Sequence, residues 1–172
     1  MTHPEIAGRL HGLEKGRILA DTHVLVWAAN EPDKLSPLAR ALFESPNYEI
    51  LASAASAAEI WWKARSGRLD IAPRGERGES KTGPNFGPGF RAVTGLLEFV
   101  RTLDIGWLPL TPHHVLRMSQ LPEVHKDPFD RLLIAQAIEH AIPLLTIDKT
   151  IRRYDSARVA EVTGGFRPTV VW

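Results

Sequence analysis

The 172-residue chain is predicted to fold as a three-layer α/β/α domain around a central, mainly parallel sheet. Three observations carry this. Short apolar runs at Arg17–Asp21, Tyr48–Ser53, Gly106–Leu110 and Ile142–Asp148 alternate with stretches of helical periodicity, the order expected of βαβ units. The first, second and last runs are apolar almost throughout rather than strictly alternating, as strands covered on both faces are. A composition of 44% hydrophobic and 24% charged residues, without repeats or heptads, suits one core of ordinary size.

The elements follow in order. Residues 1–16 are polar and weakly periodic and read as an N-terminal extension, leaving 17–172 as the domain. Arg17–Asp21 is the first strand and ends in an acid. Ser36-Pro37 opens a helix, with serine as N-cap and proline in the first turn. Tyr48–Ser53 is the second strand, and the helix after it runs from Ala54 to Ser66, stopped by Gly67 at a left-handed C-cap. Residues 72–89 hold five glycines and three prolines and read as a flexible surface loop. Val93, Leu96, Leu97 and Val100 mark a helix over Phe90–Leu103, and Gly106–Leu110 is a strand leading to a Thr111-Pro112 helix start. Asp127-Pro128 opens a helix with Leu132, Leu133, Ala135, Ala137 and Ile138 on its apolar side and Gln136 as a polar exception. Ile142–Asp148 is the last strand, again ending in an acid, and 155–172 is a C-terminal segment.

Composition excludes several chemistries. With no cysteine there is no thiolate zinc site, iron–sulfur cluster, thiol nucleophile or disulfide, so a metal must sit on oxygen or imidazole. The start of the chain carries charge at Glu5, Arg9, Glu14, Lys15 and Arg17, and no run is long enough to span a membrane, so a cytoplasmic protein without a membrane partner is expected. The net charge of +1 argues at first sight against a nucleic-acid partner. The charges are uneven, however: Lys63 to Arg91 contains seven basic and three acidic residues. Arg152 and Arg153 extend such a basic rim toward the last strand-end acid.

Ligands of open α/β sheets bind beyond the carboxyl ends of the strands. Asp21 and Asp148 stand at that edge, Glu59 on the helix after the second strand, and Asp130 in the first turn of the helix opened by Asp127. Four carboxylates from four elements repel one another unless protons or a cation neutralise them, and a hard divalent ion prefers oxygen ligands. Each acid alone has a plainer reading as a turn or cap residue; Asp127-Pro128 is itself an N-cap signature. Thr22 either orients a neighbouring carboxylate or caps the segment it begins, and Ser56, three residues before Glu59, has the same ambiguity. Glu59, Trp62 and Lys63 share one helix face, so Lys63 is placed to steady Glu59 or meet phosphate, and Trp62 to stack a base. Packing or a partner surface is the competing reading for Trp61 and Trp62. Consecutive His113 and His114 diverge on a helix and cannot chelate one ion. His23 reads as structural; His125, just before the acidic helix, is placed to donate to phosphate, with a loop residue without a role as the plainer reading.

Four blocks then resemble the PIN-domain family, and within it the VapC toxins of bacterial type II toxin–antitoxin modules. They are Ile18-Leu-Ala-Asp-Thr-His-Val-Leu-Val-Trp27, Ser53-Ala-Ala-Ser-Ala-Ala-Glu-Ile60 with Lys63 and Gly67-Arg-Leu69, His125-Lys-Asp-Pro-Phe-Asp-Arg-Leu-Leu-Ile-Ala-Gln-Ala137, and Pro143-Leu-Leu-Thr-Ile-Asp148. The resemblance implies a Mg²⁺- or Mn²⁺-dependent endoribonuclease that cleaves RNA with a metal-activated water. The family's acidic positions fall on Asp21, Glu59, Asp130 and Asp148, with Thr22, Ser56, Lys63 and Asp127 as supporting or RNA-contacting residues. It also implies a homodimer and a cognate VapB-like antitoxin. Two other readings compete. A catalytically silent PIN-like module would bind RNA or protein without cutting. An aspartyl phosphatase of the haloacid dehalogenase type needs a second aspartate two residues after the first, where this chain has His23.

Overall fold

A computed structural model describes residues 16–69 and 87–155. Strands β1 (Gly16–Ala20), β2 (Tyr48–Ser53), β3 (Gly106–Leu108) and β4 (Leu144–Leu145) form one sheet in the order β3-β2-β1-β4, with every pairing parallel. The helices are α1 (Thr22–Asn30), α2 (Pro37–Glu44), α3 (Ala54–Arg65), α4 (Gly87–Thr102), α5 (Pro112–Gln120) and α6 (Pro128–Glu139), with 3₁₀ turns at Pro32–Lys34 and Ile151–Asp155. Among the described residues no helix is long and apolar enough to cross a membrane.

The apolar runs reflect a sheet with two buried faces. Successive side chains of a strand point to opposite sides. Ile18, Ala20, Ile50, Ala52 and Leu145 enter one core with Leu25 of α1, Leu42 of α2, Ile60 of α3 and Leu96 of α4. Leu19, Leu51, Leu108 and Leu144 enter the other with Leu133, Ile134 and Ile138 of α6 and Tyr154. Either face left open would expose one of these sets to water, so the layers are three.

The helix starts follow their caps. Ser36 Oγ accepts the Ala39 amide at 3.1 Å, Ser53 Oγ the Ala55 amide at 2.9 Å, and Asp127 Oδ1 the Phe129 amide at 2.9 Å. Gly67 takes φ +71° after α3, the left-handed conformation expected of it. Several boundaries differ from expectation. Strand β1 begins at Gly16 and closes at Ala20, so Asp21 is the N-cap position of α1 and Thr22 is its first helical residue rather than its cap. β3 stops at Leu108 because Pro109 has no N–H to give the ladder. β4 is reduced to two residues because the chain after it bonds locally: Thr146 Oγ1 takes the Asp148 amide at 3.0 Å and Asp148 Oδ1 the Thr150 amide at 2.6 Å. Helix α4 reaches back to Gly87, so residues 87–89 of the expected loop are helical. Gly89 permits α3 and α4 to touch, since a Cβ there would lie 2.8 Å from Trp61 Cδ1. The rest of that loop, most of the N-terminal extension and residues 156–172 lie outside the described residues.

Gln136, the polar exception, is fully buried and joins the layers. Its Oε1 accepts from Ser53 Oγ at 2.5 Å, and its Nε2 donates to the Pro109 carbonyl at 3.2 Å. It thereby ties α6 to the carboxyl ends of β2 and β3. Replacing Gln136 by leucine strands the Ser53 hydroxyl and the Pro109 carbonyl, and is expected to cost about 1–3 kcal/mol in urea unfolding. Because Ser53 also caps α3, Ser53→Ala is costly by itself, but its cost should be smaller in the Gln136→Leu background than in the parent; additive effects of the two substitutions would contradict the linkage.

Candidate functional site

The carboxyl edge of the sheet gathers the four acids. Asp21 leaves β1 and Asp148 follows the neighbouring β4, while α3 and α6 bring Glu59 and Asp130 over the same edge. Asp21 and Glu59 are each 1% exposed and Asp130 9%; Asp148 is partly open. Burial raises the Asp21 pKa, with the Glu59 charge adding and the Thr146 hydroxyl and His23 opposing. Asp130 is pushed up to about 7 by burial and by the charges of Asp21, Asp127 and Glu59, against the pull of His125. Asp148 lies below the usual range: its partial burial is outweighed by hydrogen bonds from Thr150 and His125.

The buried acids are short of donors. Asp21 Oδ2 accepts from Thr146 Oγ1 at 2.5 Å and Glu59 Oε1 pairs with the Lys63 ammonium, but Asp21 Oδ1 and Glu59 Oε2 are sequestered without a partner. Buried carboxylate oxygens left this way are costly, and they are the groups a hard cation satisfies. His125, Asp130 and Asp148 add donor atoms that lie within 4.8 Å of one another. Among the described residues this group could hold a divalent ion, and Asp21 and Glu59, whose charges act on Asp130, stand near it.

Sequence reasoning named His125 but missed its partner, Asp148. Its Nδ1 accepts the Asp127 amide at 3.2 Å, which places the proton of the neutral ring on Nε2, 2.9 Å from Asp148 Oδ2. Nδ1 also lies 3.4 Å from Asp130 Oδ2. The loop carrying it is pinned. Its backbone amide donates to Tyr154 Oη at 3.1 Å, and Arg131 donates to the carbonyls of Met118, Leu121 and Pro122 at 2.8–2.9 Å. The only available signal was its place five residues before Asp130; the partner Asp148 is distant in sequence.

The supporting residues divide. Lys63 steadies Glu59, and Asp127 caps α6 while its amide sets the His125 ring. Thr22 Oγ1 donates to Ser56 Oγ at 3.0 Å, so these two buried hydroxyls bind α1 to α3 instead of touching a carboxylate. Thr146 takes the orienting part anticipated for Thr22, bonding Asp21 and the Asp148 amide. His113 and His114 diverge as expected: His113 is exposed, while His114 is buried with Nε2 3.2 Å from His140. Burial and the His140 neighbour hold the His114 pKa below the ordinary value.

The raised acids make a sign prediction. An acid whose folded pKa exceeds its unfolded value of ~3.9 stabilises the fold below that value, and the stabilisation is lost as pH rises through the folded pKa. For Asp130 that window runs from the unfolded value up to about 7. His114, whose pKa is lowered, works in the opposite direction, so the test is a difference: in chelator, the melting temperature of Asp130→Asn should gain on that of the parent as pH rises from 5 to 8, and parallel profiles would contradict the placement. The depressed Asp148 acts only at more acidic pH.

Comparison with known proteins agrees with this geometry. The PIN domain family model matches residues 18–157. The chain is 31% identical over 156 residues to Ribonuclease VapC22 of Mycobacterium tuberculosis (strain ATCC 25618 / H37Rv), spanning 90% of this chain and 98% of that protein. Its fold is similar to a chain in the crystal structure of VapBC2 from Rickettsia felis bound to a DNA fragment from their promoter. The TM-score is 0.53 at 15% identity, over 80% of this chain and 92% of that one. With a parallel sheet between two helical layers, four acids at its carboxyl edge and a family match enclosing all of them, the chain belongs to the PIN-domain family.

Proposed function

We propose that the protein is a metal-dependent endoribonuclease of the VapC type, the toxin of a toxin–antitoxin pair. The observation that carries this reading is the pair of buried carboxylate oxygens without a partner, Asp21 Oδ1 and Glu59 Oε2, beside Asp130 and Asp148. The 31% identity to a ribonuclease of this type supports the choice of substrate and reaction class. Asp21, Glu59, Asp130 and Asp148 would hold Mg²⁺ or Mn²⁺, which would supply Lewis-acid polarisation of the scissile phosphate and a more acidic attacking water. Thr146 fixes one Asp21 oxygen and leaves the other for coordination. Lys63 offsets the Glu59 charge, and His125 holds Asp148 at a set angle. The partner is a VapB-like antitoxin, the active form is a homodimer, and the site of action is the cytoplasm.

Purified protein should cleave single-stranded RNA with Mg²⁺ or Mn²⁺, and Asp21→Ala or Asp148→Ala should lower the rate by more than the roughly 10- to 100-fold typical of residues that merely orient a ligand. Activity undiminished in both variants would sink the site assignment. Expression should arrest growth, with relief by the product of a small neighbouring gene. His125 has its own test. His125→Ala should weaken Mn²⁺ binding, followed by electron paramagnetic resonance, by about 10- to 100-fold. His125→Gln should retain more affinity than His125→Asn, because the glutamine amide reaches the position of Nε2–H. Wild-type affinity in His125→Ala would remove the orienting role.

A further inference from the structure

Trp61 and Trp62 are consecutive on α3 and similarly exposed, at 42% and 44%, but their surroundings differ. Trp61 lies against Gly89 of α4, with the Arg65 guanidinium 5.3 Å from its ring centre. Trp62 lies one turn beyond Glu59 on the face it shares with Lys63. Its ring centre is 6.3 Å from that of Phe129, the residue before Asp130, and the two planes are tilted by 41°. The Arg68 guanidinium stands 5.1 Å from the Trp62 ring centre. An aromatic corner therefore opens between the helix that carries Glu59 and the first turn of the helix that carries Asp130, with a cation over it.

These features select one kind of occupant. A wholly apolar partner would strip water from Arg68 without replacing its hydration. Single-stranded nucleic acid meets both demands, since its bases stack on aromatic faces and on planar guanidinium, and its phosphates neutralise the cation. We propose that Trp62, Phe129 and Arg68 form a nucleobase-stacking subsite that seats one base of single-stranded RNA beside the acidic cluster. This rests on the RNA-cleaving function proposed above. Every base has a π face, so the subsite contributes affinity and register rather than a choice of base. Trp61, with its similar exposure and its own stacked arginine, serves as the internal control because it sits against α4 instead of the acids.

The test uses the full chain with Asp21→Asn, to suppress cleavage, and two fluorescein-labelled RNA decamers: one of mixed sequence, one abasic with the same backbone. Fluorescence anisotropy should show Trp62→Ala weakening binding of the base-bearing decamer by roughly 5- to 150-fold. Trp62→Phe and Trp61→Ala should bind it nearly as the parent does, and the abasic decamer should not distinguish Trp62→Ala from the parent. If the parent binds the mixed decamer and Trp62→Ala binds it equally well, the subsite is overturned while RNA binding stands. Loss of self-association by Trp62→Ala in sedimentation, with RNA affinity unchanged, assigns the surface to a second copy and likewise overturns it. A parent that binds neither decamer overturns the RNA reading itself, and the subsite with it.

Discussion

Negative charge held out of water at the carboxyl edge of the sheet is the constraint that orders this molecule. Asp21 and Glu59 are buried almost completely, yet two of their four oxygens, Asp21 Oδ1 and Glu59 Oε2, have no partner. Such an arrangement stands against both repulsion and desolvation, so the surrounding fold must hold it in place. The sheet supplies that restraint. β1 and β4 are adjacent and parallel, and their ends deliver Asp21 and Asp148 to one edge. Helices α3 and α6, packed on opposite faces, bring Glu59 and Asp130 over the same edge.

Polar groups inside the domain are spent on keeping those helices in register. Gln136 links α6 to Ser53, itself the cap of α3, and to Pro109 beyond β3. The Thr22–Ser56 bond does the same between α1 and α3. Arg131, beside Asp130 in sequence, directs its guanidinium away into the carbonyls of the Met118–Pro122 segment and so fixes the loop from which His125 reaches Asp148. The acids are thus positioned by neighbours whose own hydrogen bonds are satisfied, the condition under which buried polar networks hold a single geometry.

On the α3 side this negative pocket is flanked by cations. Arg65 and Arg68 lie over the exposed tryptophans of α3, and Lys63 joins the rim to Glu59. A net charge of +1 counted over the chain does not record this local separation. A polyanion approaching the rim meets cations first and the acids only with a divalent ion in place, which couples the two fields in the proposed reaction.

The sequence by itself determined the layer architecture and singled out four acids that the fold brings to one edge of the sheet. Strand burial on both faces writes itself as uninterrupted apolar runs, and caps such as Ser36, Ser53, Asp127 and Gly67 act over three residues or fewer, so both are local signals. Boundaries were less legible where side chains compete with the ladder: Thr146 and Asp148 draw the backbone after β4 into local bonds, and Pro109 cuts β3 short. Only the tertiary structure decided which polar neighbour serves which acid. Thr146 rather than Thr22 bonds Asp21, across 125 positions of sequence, and His125 rather than an unattached loop side chain holds Asp148. Likewise, adjacent Trp61 and Trp62 look alike in the chain, and the roughly 100° turn between successive helical residues sends one to Gly89 and the other to Phe129 beside the acids. Pairings of this kind depend on where the sheet and helices place distant residues, and no local pattern records them.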